Sequence, residues 1–160
     1  PKLDPLVDRS IGSLFRTSAM TLISKVGGAS GPLYGTFFLQ AGRPANGKTE
    51  LTLKELCQCF DTGLSGIVKL GKAVVGDKTM VDALTPALAA LYPKDEDSLD
   101  TALERAASVA REAAEATIPL IARKGRASYL GERSIGHKDP GATSSALLLE
   151  ALAEVVKPSS

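Results

Sequence analysis

Three glycine-punctuated polar blocks divide an otherwise alanine- and leucine-rich chain into segments of helix length. They occupy residues 27–35, 76–82 and 124–145. Connections between packed helices need only a few residues, so a block as long as the third is not explained by chain reversal alone. Long polar segments on a rigid scaffold are typical places for binding and chemistry. We therefore look for the function of this chain in the three blocks.

The segments between the blocks have the apolar periodicity of helices. In the first segment, Ile11, Leu14, Phe15 and Leu22 recur at helical spacing. No segment sustains the two-residue alternation of a half-buried strand, and several connections are short. The sequence therefore predicts an all-α fold, an antiparallel bundle or barrel of helices. The predicted helices span residues 10–26, 32–42, 52–71, 79–91, 99–122 and 143–156.

Capping signals support several of these helix starts. Thr52 and Glu55 have the spacing of a capping box, and Thr79 with Asp82 forms a similar pair. Ser98 is the expected N-cap of the fifth helix. Proline inside the fourth and fifth helices, at positions 86 and 119, predicts a kink in each.

Composition limits the possible partners and the compartment. The chain has 160 residues, which predicts a single domain over 1–160. A net charge of +1 and an aromatic content of 4% argue against nucleic acid and against a membrane surface. No apolar run reaches the roughly 18 residues of a membrane span. Cys57 and Cys59, two apart on a helix, favour reduced thiols and hence the cytoplasm.

The first two blocks each place glycine and a hydroxyl at a predicted helix start. In the first, Ser30 follows two glycines and precedes Pro32, where backbone amides would attract a phosphate. A simple tight turn is the alternative. In the second, a capped helix is the alternative to a ligand site, and Met80 suits either the core or the face of a purine ring.

The third block carries the side chains best suited to a phosphate ligand. Arg126 and Arg133 offer planar guanidinium groups that match phosphate oxygens. The stretch 139–141, Asp-Pro-Gly, predicts a turn whose carboxylate reaches a ribose hydroxyl or an amide. His137 is the only histidine, and nothing pairs it with a nucleophile. Together the blocks indicate a helical phosphate- or nucleotide-binding domain.

At these same residues the chain resembles the ADP-binding L subunits of dihydroxyacetone kinases. The matching stretches are VGGASGPLYGTFF at 26–38, GKAVVGDKTMVDAL at 71–84 and ARKGRASYLGERSIGHKDPGATSS at 122–145. They follow one another in the family's order and cover most of the chain. The resemblance implies a barrel of antiparallel helices that binds ADP or ATP at one end, through the loops between helices.

The resemblance also implies which residues contact the nucleotide. Ala29 and Ser30 would meet the phosphates, and Gly71 would border the pocket. Met80 would pack on the adenine, and Arg126 would reach the terminal phosphate. The nucleoside side would be held by Asp139, Pro140 and Gly141. It implies no protein nucleophile and no metal ligand within this chain.

One family feature is missing from the sequence. The family carries an acidic Gly-Asp-x-Asp-His-Gly motif ahead of the first block, whose aspartates hold Mg²⁺ against the phosphates. Residues 1–26 contain only Asp4 and Asp8, in a different context. We therefore expect the Mg²⁺ ligands in an N-terminal segment that this chain lacks. Since the metal neutralises most of the phosphate charge, we expect the chain alone to be inactive.

The resemblance implies a subunit of a phosphotransferase-system-dependent dihydroxyacetone kinase. The nucleotide would stay bound as a coenzyme and be recharged by a phosphocarrier M subunit. The phosphoryl group would then pass to dihydroxyacetone held on a K subunit, and the family pattern also allows a homodimer. Two alternatives remain open: the nucleotide domain of a single-chain, ATP-dependent dihydroxyacetone kinase, and a non-catalytic helical binding module.

Overall fold

The computed structural model describes residues 8–94 and 97–157. Within those ranges it contains helices and no strand, so the predicted all-α class is confirmed. These ranges contain six α-helices and a 3₁₀ segment, which is broken by a kink at Gly131. They are α1 (Ile11–Lys25), α2 (Ser30–Ala41), α3 (Leu53–Gly71), α4 (Met80–Leu91), α5 (Leu99–Ala116), the 3₁₀ helix (Arg126–Ser134) and α6 (Pro140–Val156).

The predicted capping residues begin their helices. The Thr52 hydroxyl accepts from the Glu55 amide at 3.2 Å, and a Glu55 carboxylate oxygen accepts from the Thr52 amide at 2.8 Å, which completes the capping box of α3. Thr79 and Asp82 form the same arrangement at α4. Ser98 caps α5 by accepting from the Thr101 amide. Each cap satisfies amides that the first helical turn leaves without an intrahelical partner.

The chain divides into two compact units, of which the first ends at Lys72 and the second begins at Ala73. In the first unit α2 packs against both α1 and α3. The α1–α2 pair is antiparallel and close, because a Cβ built on Gly35 would lie 2.3 Å from Ile23 Cγ1. At the α2–α3 contact the Phe37 and Phe60 ring centroids are 5.6 Å apart. The prediction of a single domain over 1–160 stays a prediction.

In the second unit α5 packs against both α4 and α6. The buried face of α5 is made almost entirely of methyl-sized side chains. We call it the alanine seam; its members are Ala102, Ala106, Ala107, Ala110 and Ala114, each no more than 5% exposed. Leu103 is the one large side chain buried on this helix. Small side chains let helix axes approach closely, so α5 serves as the central helix of the unit.

Three predicted boundaries are wrong. Helix α5 ends at Ala116 and not at 122, because the Thr117 hydroxyl donates to the Ala114 carbonyl at 2.6 Å and the chain turns ahead of the proline at 119. Helix α2 begins two residues earlier than predicted, at Ser30. Helix α6 begins three residues earlier, at Pro140, since proline suits the first turn of a helix.

Both cysteines are free and buried in α3, as the sequence predicts. Burial raises the pKa of each thiol above its ordinary value. In the part of the chain that the structure describes, none of the helices combines the length and the apolar character needed to cross a membrane.

We expect the Glu55 carboxylate to make the stability of the first unit depend on pH in the acidic range. The Lys48 ammonium group, 2.6 Å from Glu55 Oε1, and the Thr52 hydrogen bonds lower the pKa of Glu55 from 4.5 to about 2. Because the folded pKa is the lower one, this stabilisation is present above pH 4.5 and is lost as the pH falls toward 2. Urea unfolding between pH 2 and 6 should show a smaller loss of stability in Glu55→Gln than in the unsubstituted chain. Glu50→Gln, at an exposed carboxylate nearby, should keep the full loss; equal pH dependence in both variants would contradict the assignment.

Candidate functional site

The first group of predicted site residues lies at the start of α2. Gly28 takes a left-handed conformation, φ +69°, and turns the chain into the helix. Ala29 is the N-cap and provides no side-chain hydrogen bond, and the first turn contains no acidic residue. Ser30 is the first helical residue, and its side chain is exposed. Since no side chain caps these amides, the start of α2 suits an anion.

Gly71 lies at the same end of the first unit. It is the last residue of α3 and is exposed. A Cβ built on it would lie 3.6 Å from Leu33 Cδ2. Leu33 stands one turn into α2, and its amide donates to the Ala29 carbonyl at 3.1 Å. The structure therefore places Gly71 against Leu33, about one turn after Ala29 and Ser30 at the start of α2.

The second group lies where α4 and α6 begin. A Cβ built on Gly141 would lie 3.2 Å from the Met80 amide nitrogen, so the first turns of the two helices are in close contact. Met80 is 5% exposed, whereas Pro140 is exposed. The predicted turn at 139–141 is wrong: Asp139 is the N-cap of α6, and Pro140 and Gly141 are its first residues.

Asp139 is a buried carboxylate that is already engaged in capping. Its Oδ2 accepts from the Ala142 amide at 2.7 Å, and its own amide donates to the Thr117 hydroxyl at 2.9 Å. Burial, with a smaller effect of the nearby Asp82 charge, raises the pKa of Asp139. A carboxylate at the N-cap offsets the positive end of the helix, so the start of α6 does not favour a phosphate as α2 does. It suits hydroxyl and amide groups.

Arg126 begins the 3₁₀ helix, directly after Gly125 in a left-handed conformation, φ +66°. Its side chain is exposed, and within residues 8–94 and 97–157 its guanidinium makes no hydrogen bond or ion pair. The third block is thus not a plain loop, since a 3₁₀ helix and the start of α6 occupy much of it. Arg133 and His137 are exposed as well.

Sequence reasoning missed Lys78. Lys78 lies directly before the Thr79 N-cap of α4, and it is only 3% exposed. Its ammonium group donates to the Ile118 carbonyl at 3.4 Å, the Leu120 carbonyl at 3.0 Å and the Ser134 carbonyl at 2.6 Å. The only local signal was its place between Asp77 and the Thr79 N-cap. The capped-helix interpretation of the second block is correct for Thr79 and Asp82, and Lys78 adds a buried anchor.

The acidic, histidine and cysteine side chains of the described residues do not form a cluster. Within 8–94 and 97–157, no three acidic, histidine or cysteine side chains converge on one point. The buried carboxylates of the second unit accept hydrogen bonds from backbone amides. Asp82 accepts from the Gly76 and Thr79 amides at 2.6 and 2.7 Å, Asp77 accepts from the Val74 amide at 3.0 Å, and Asp139 caps α6.

Comparison with known proteins identifies relatives over almost the whole chain. The DAK2 domain family model matches residues 2–154. The ADP-binding subunit DhaL of the PEP-dependent dihydroxyacetone kinase of Escherichia coli K12 is 50% identical over 158 residues, 98% of this chain and 75% of the relative. The ADP-binding subunit DhaL of the PTS-dependent kinase of Lactococcus lactis subsp. lactis is 49% identical over 92% of this chain and 69% of the relative.

A solved structure has the same fold. The dihydroxyacetone kinase of C. freundii, in complex with AMP-PNP and Mg²⁺, superposes with a TM-score of 0.66 and 30% sequence identity. The match covers 91% of this chain and 23% of that kinase. The present chain therefore spans about three quarters of the E. coli subunit and about a quarter of the C. freundii kinase.

Proposed function

The chain belongs to the DAK2 domain family, and from this we propose that it is the nucleotide-carrying subunit of a dihydroxyacetone kinase that receives its phosphoryl group from the phosphotransferase system. The observation that carries the proposal is the 50% identity, over 98% of the chain, with an ADP-binding subunit of that kind of kinase. In such a kinase this chain would supply positioning and charge stabilisation, with no covalent intermediate on its own residues.

In the first unit we assign the phosphates to the start of α2. The uncapped amides and the Ser30 hydroxyl are neutral donors that can approach phosphate oxygens closely. Ala29 contributes backbone only, and Gly71 borders the nucleotide without a side chain in its way. The exposure of all three residues supports this assignment.

In the second unit we assign the base and sugar to the contact between α4 and α6. Met80 would present a polarisable apolar surface to the adenine. Asp139, Pro140 and Gly141 would hold the nucleoside side, where a capped helix start favours hydroxyl groups over phosphate. Arg126 would reach the terminal phosphate, supported by an exposed guanidinium with no protein partner in the described ranges.

The remaining parts of the proposal concern groups outside the described residues. Mg²⁺ would be held by the family's upstream acidic segment, as the family resemblance implies. The proposed partners are a K subunit that holds dihydroxyacetone and an M subunit that carries phosphoryl groups, in the cytoplasm. A homodimer of the chain fits the same family pattern.

Retention of the nucleotide tests the proposal. The protein carrying this chain would be loaded with radiolabelled ADP and mixed with its K and M partners and dihydroxyacetone, and unlabelled ADP would be added in excess. A coenzyme must leave much more slowly than catalysis proceeds, so we expect the label to stay bound through many turnovers driven by the phosphocarrier. An otherwise identical mixture without the phosphocarrier is the control.

The opposite result supports the second candidate function. Rapid loss of label, with sustained turnover on free ATP and no phosphocarrier, would indicate a nucleotide domain of an ATP-dependent kinase. The C. freundii kinase supports this alternative, because a part of it similar to this chain makes up only 23% of its length. Failure to bind ADP at all would favour a non-catalytic module.

A further inference from the structure

We propose that Lys78 is a positioning residue for phosphoryl transfer, whose buried ammonium group holds the segment that carries Arg126. The inference rests on the proposed function, since it assigns a role in that reaction. Lys78 itself touches no reacting atom: it is 3% exposed and acts through the backbone of other residues.

The three carbonyl groups that Lys78 binds enclose the Arg126 segment. Those of Ile118 and Leu120 precede it, and that of Ser134 ends the 3₁₀ helix on which Arg126 stands. One side chain therefore joins both ends of a long connection between α5 and α6. Because Arg126 lies between the two ends, its place depends on where they are fixed.

Backbone and hydroxyl contacts close the same connection. The Ala122 amide donates to the Ser134 hydroxyl at 2.9 Å, and the Gly136 amide donates to the Ile118 carbonyl at 2.9 Å. The Arg123 amide donates to the Asp77 carbonyl at 3.0 Å, directly beside Lys78. The connection is therefore tied at its base to the stretch that precedes α4, while Arg126 itself remains exposed.

The backbone conformation of Lys78 and the burial of its ammonium group are both energetically unfavourable. Lys78 has φ +63°, a left-handed conformation that is uncommon for residues other than glycine, asparagine and aspartate. It also removes an ammonium group from water, which requires that the charge be compensated. The three N–H donors of the ammonium match three carbonyl acceptors. Such strain persists where the surroundings determine a geometry, and it is common at functional sites.

The position of Lys78 along the chain links the two halves of the proposed second-unit site. Met80 follows two residues later and begins α4, against Gly141 of α6. The stretch 78–80 thus holds the Arg126 connection with one side chain and forms the adenine contact with another. Movement of the connection would displace Arg126 relative to Met80.

The test compares Lys78→Met, Lys78→Arg and the control Leu103→Ala. Methionine keeps the length of the side chain and removes the charge and the donors, whereas arginine keeps the charge. Leu103 is fully buried on α5 and makes none of these contacts, so its truncation reports the effect of lost stability alone. The variants would be assayed with the K and M partners for kcat, for the KM of dihydroxyacetone and for thermal unfolding.

We expect Lys78→Met to lower kcat about 10- to 100-fold at a temperature where the protein is folded, with the KM of dihydroxyacetone unchanged, since a small misplacement of a positioned group has an effect of that size. Lys78→Arg should recover part of the rate, and Leu103→Ala should lower the melting temperature without lowering kcat. A folded Lys78→Met variant with normal kcat, or an equal loss of kcat in Leu103→Ala, would overturn the proposal.

A second measurement is independent of activity. Trypsin cleavage after Lys124 and Arg126 should be about tenfold faster in Lys78→Met than in the unsubstituted protein, since the segment is then free to open. If Lys78→Met does not fold, Lys78→Arg carries this comparison. Unchanged cleavage would overturn the positioning role. Absence of phosphoryl transfer by the unsubstituted protein with the family's Mg²⁺-binding segment present would contradict the proposed function and leave the cleavage result to decide the role of Lys78.

Discussion

Replacement of Arg126 by alanine is expected to lower the rate of phosphoryl transfer about 1,000-fold, the lower end of the effect of arginine residues that stabilise charge on a transferring phosphoryl group. The same change should leave the free energy of unfolding within about 0.5 kcal/mol, because the side chain is exposed and contacts no other described residue through its charge. Single-turnover transfer from bound ATP to dihydroxyacetone on the K subunit would measure the first effect, and urea unfolding the second.

Arg133→Ala is the matched control for Arg126. Arg133 is an exposed arginine in the same 3₁₀ segment, after its kink at Gly131, and its removal takes away an equal charge. We expect its transfer rate to stay within about tenfold of the unsubstituted protein, as for a charge that acts only at a distance. If Arg126→Ala instead lost its cooperative unfolding, Arg126 would be structural and the assignment to the terminal phosphate would be wrong.

Replacement of Gly31 by alanine is expected to destabilise the first unit by about 2 kcal/mol. A Cβ on Gly31 would lie 2.2 Å from the Val26 carbonyl oxygen and 3.1 Å from that of Leu22. Both atoms are backbone, so a rotamer change cannot relieve the clash. The gain of about 1 kcal/mol in helix propensity is too small to offset the required shift of α2 against α1.

Gly27→Ala is the control for Gly31, in the same connection. A Cβ on Gly27 would meet no atom within 4 Å, so we expect a change of at most about 0.5 kcal/mol. Denaturant unfolding monitored by circular dichroism would compare the two variants. Because Ser30 precedes Gly31, calorimetry with ADP should also show weaker binding in Gly31→Ala at temperatures where it is folded. Equal stability of the two variants would show that α1 and α2 can separate without loss.

The starts of α3, α4 and α5 could be predicted from the sequence because the capping signals that define them are local. The caps at Thr52, Thr79 and Ser98 act on amides two or three residues away, and each was found in place. The close approach of α1 and α2 was not predicted, since it depends on which glycine faces which neighbour. The sequence of α2 shows its glycines but not that Gly35 meets Ile23.

The ends of helices in the second unit were predicted less well, for a related reason. The Thr117 hydroxyl accepts from the Asp139 amide, more than twenty residues later, and donates within its own turn. This pairing joins the end of α5 to the start of α6, so the end of α5 is not set by its own segment alone. The start of α6 follows a local signal, Asp139 as N-cap with Pro140 after it, which was interpreted as a turn. The prediction from helical periodicity alone placed both the end of α5 and the start of α6 too late in the sequence.

The residue types of the candidate site could be predicted from the sequence, but the buried contacts of Lys78 could not. Ser30 and Arg126 were recognised as phosphate ligands from their chemistry and from the resemblance, and those roles stay predictions. Lys78 was not recognised, because its partners are carbonyl groups, which every residue has. A buried lysine that binds backbone 40 to 56 residues away leaves no pattern in the sequence.

The alanine seam of α5 has a consequence for the range of sequences that this unit can accept. A methyl side chain has no rotamers to lose, so the seam forms with almost no loss of side-chain conformational entropy. An alanine side chain can also become smaller only by replacement with glycine. Except for glycine, replacements at Ala102, Ala106 or Ala110 add volume where none of these residues is measurably exposed to solvent. Tolerance to substitution on this helix is therefore asymmetric: the inner face has almost no room for larger side chains, while the outer face is limited mainly by the ion pairs and hydrogen bonds of Arg105, Arg111 and Glu115.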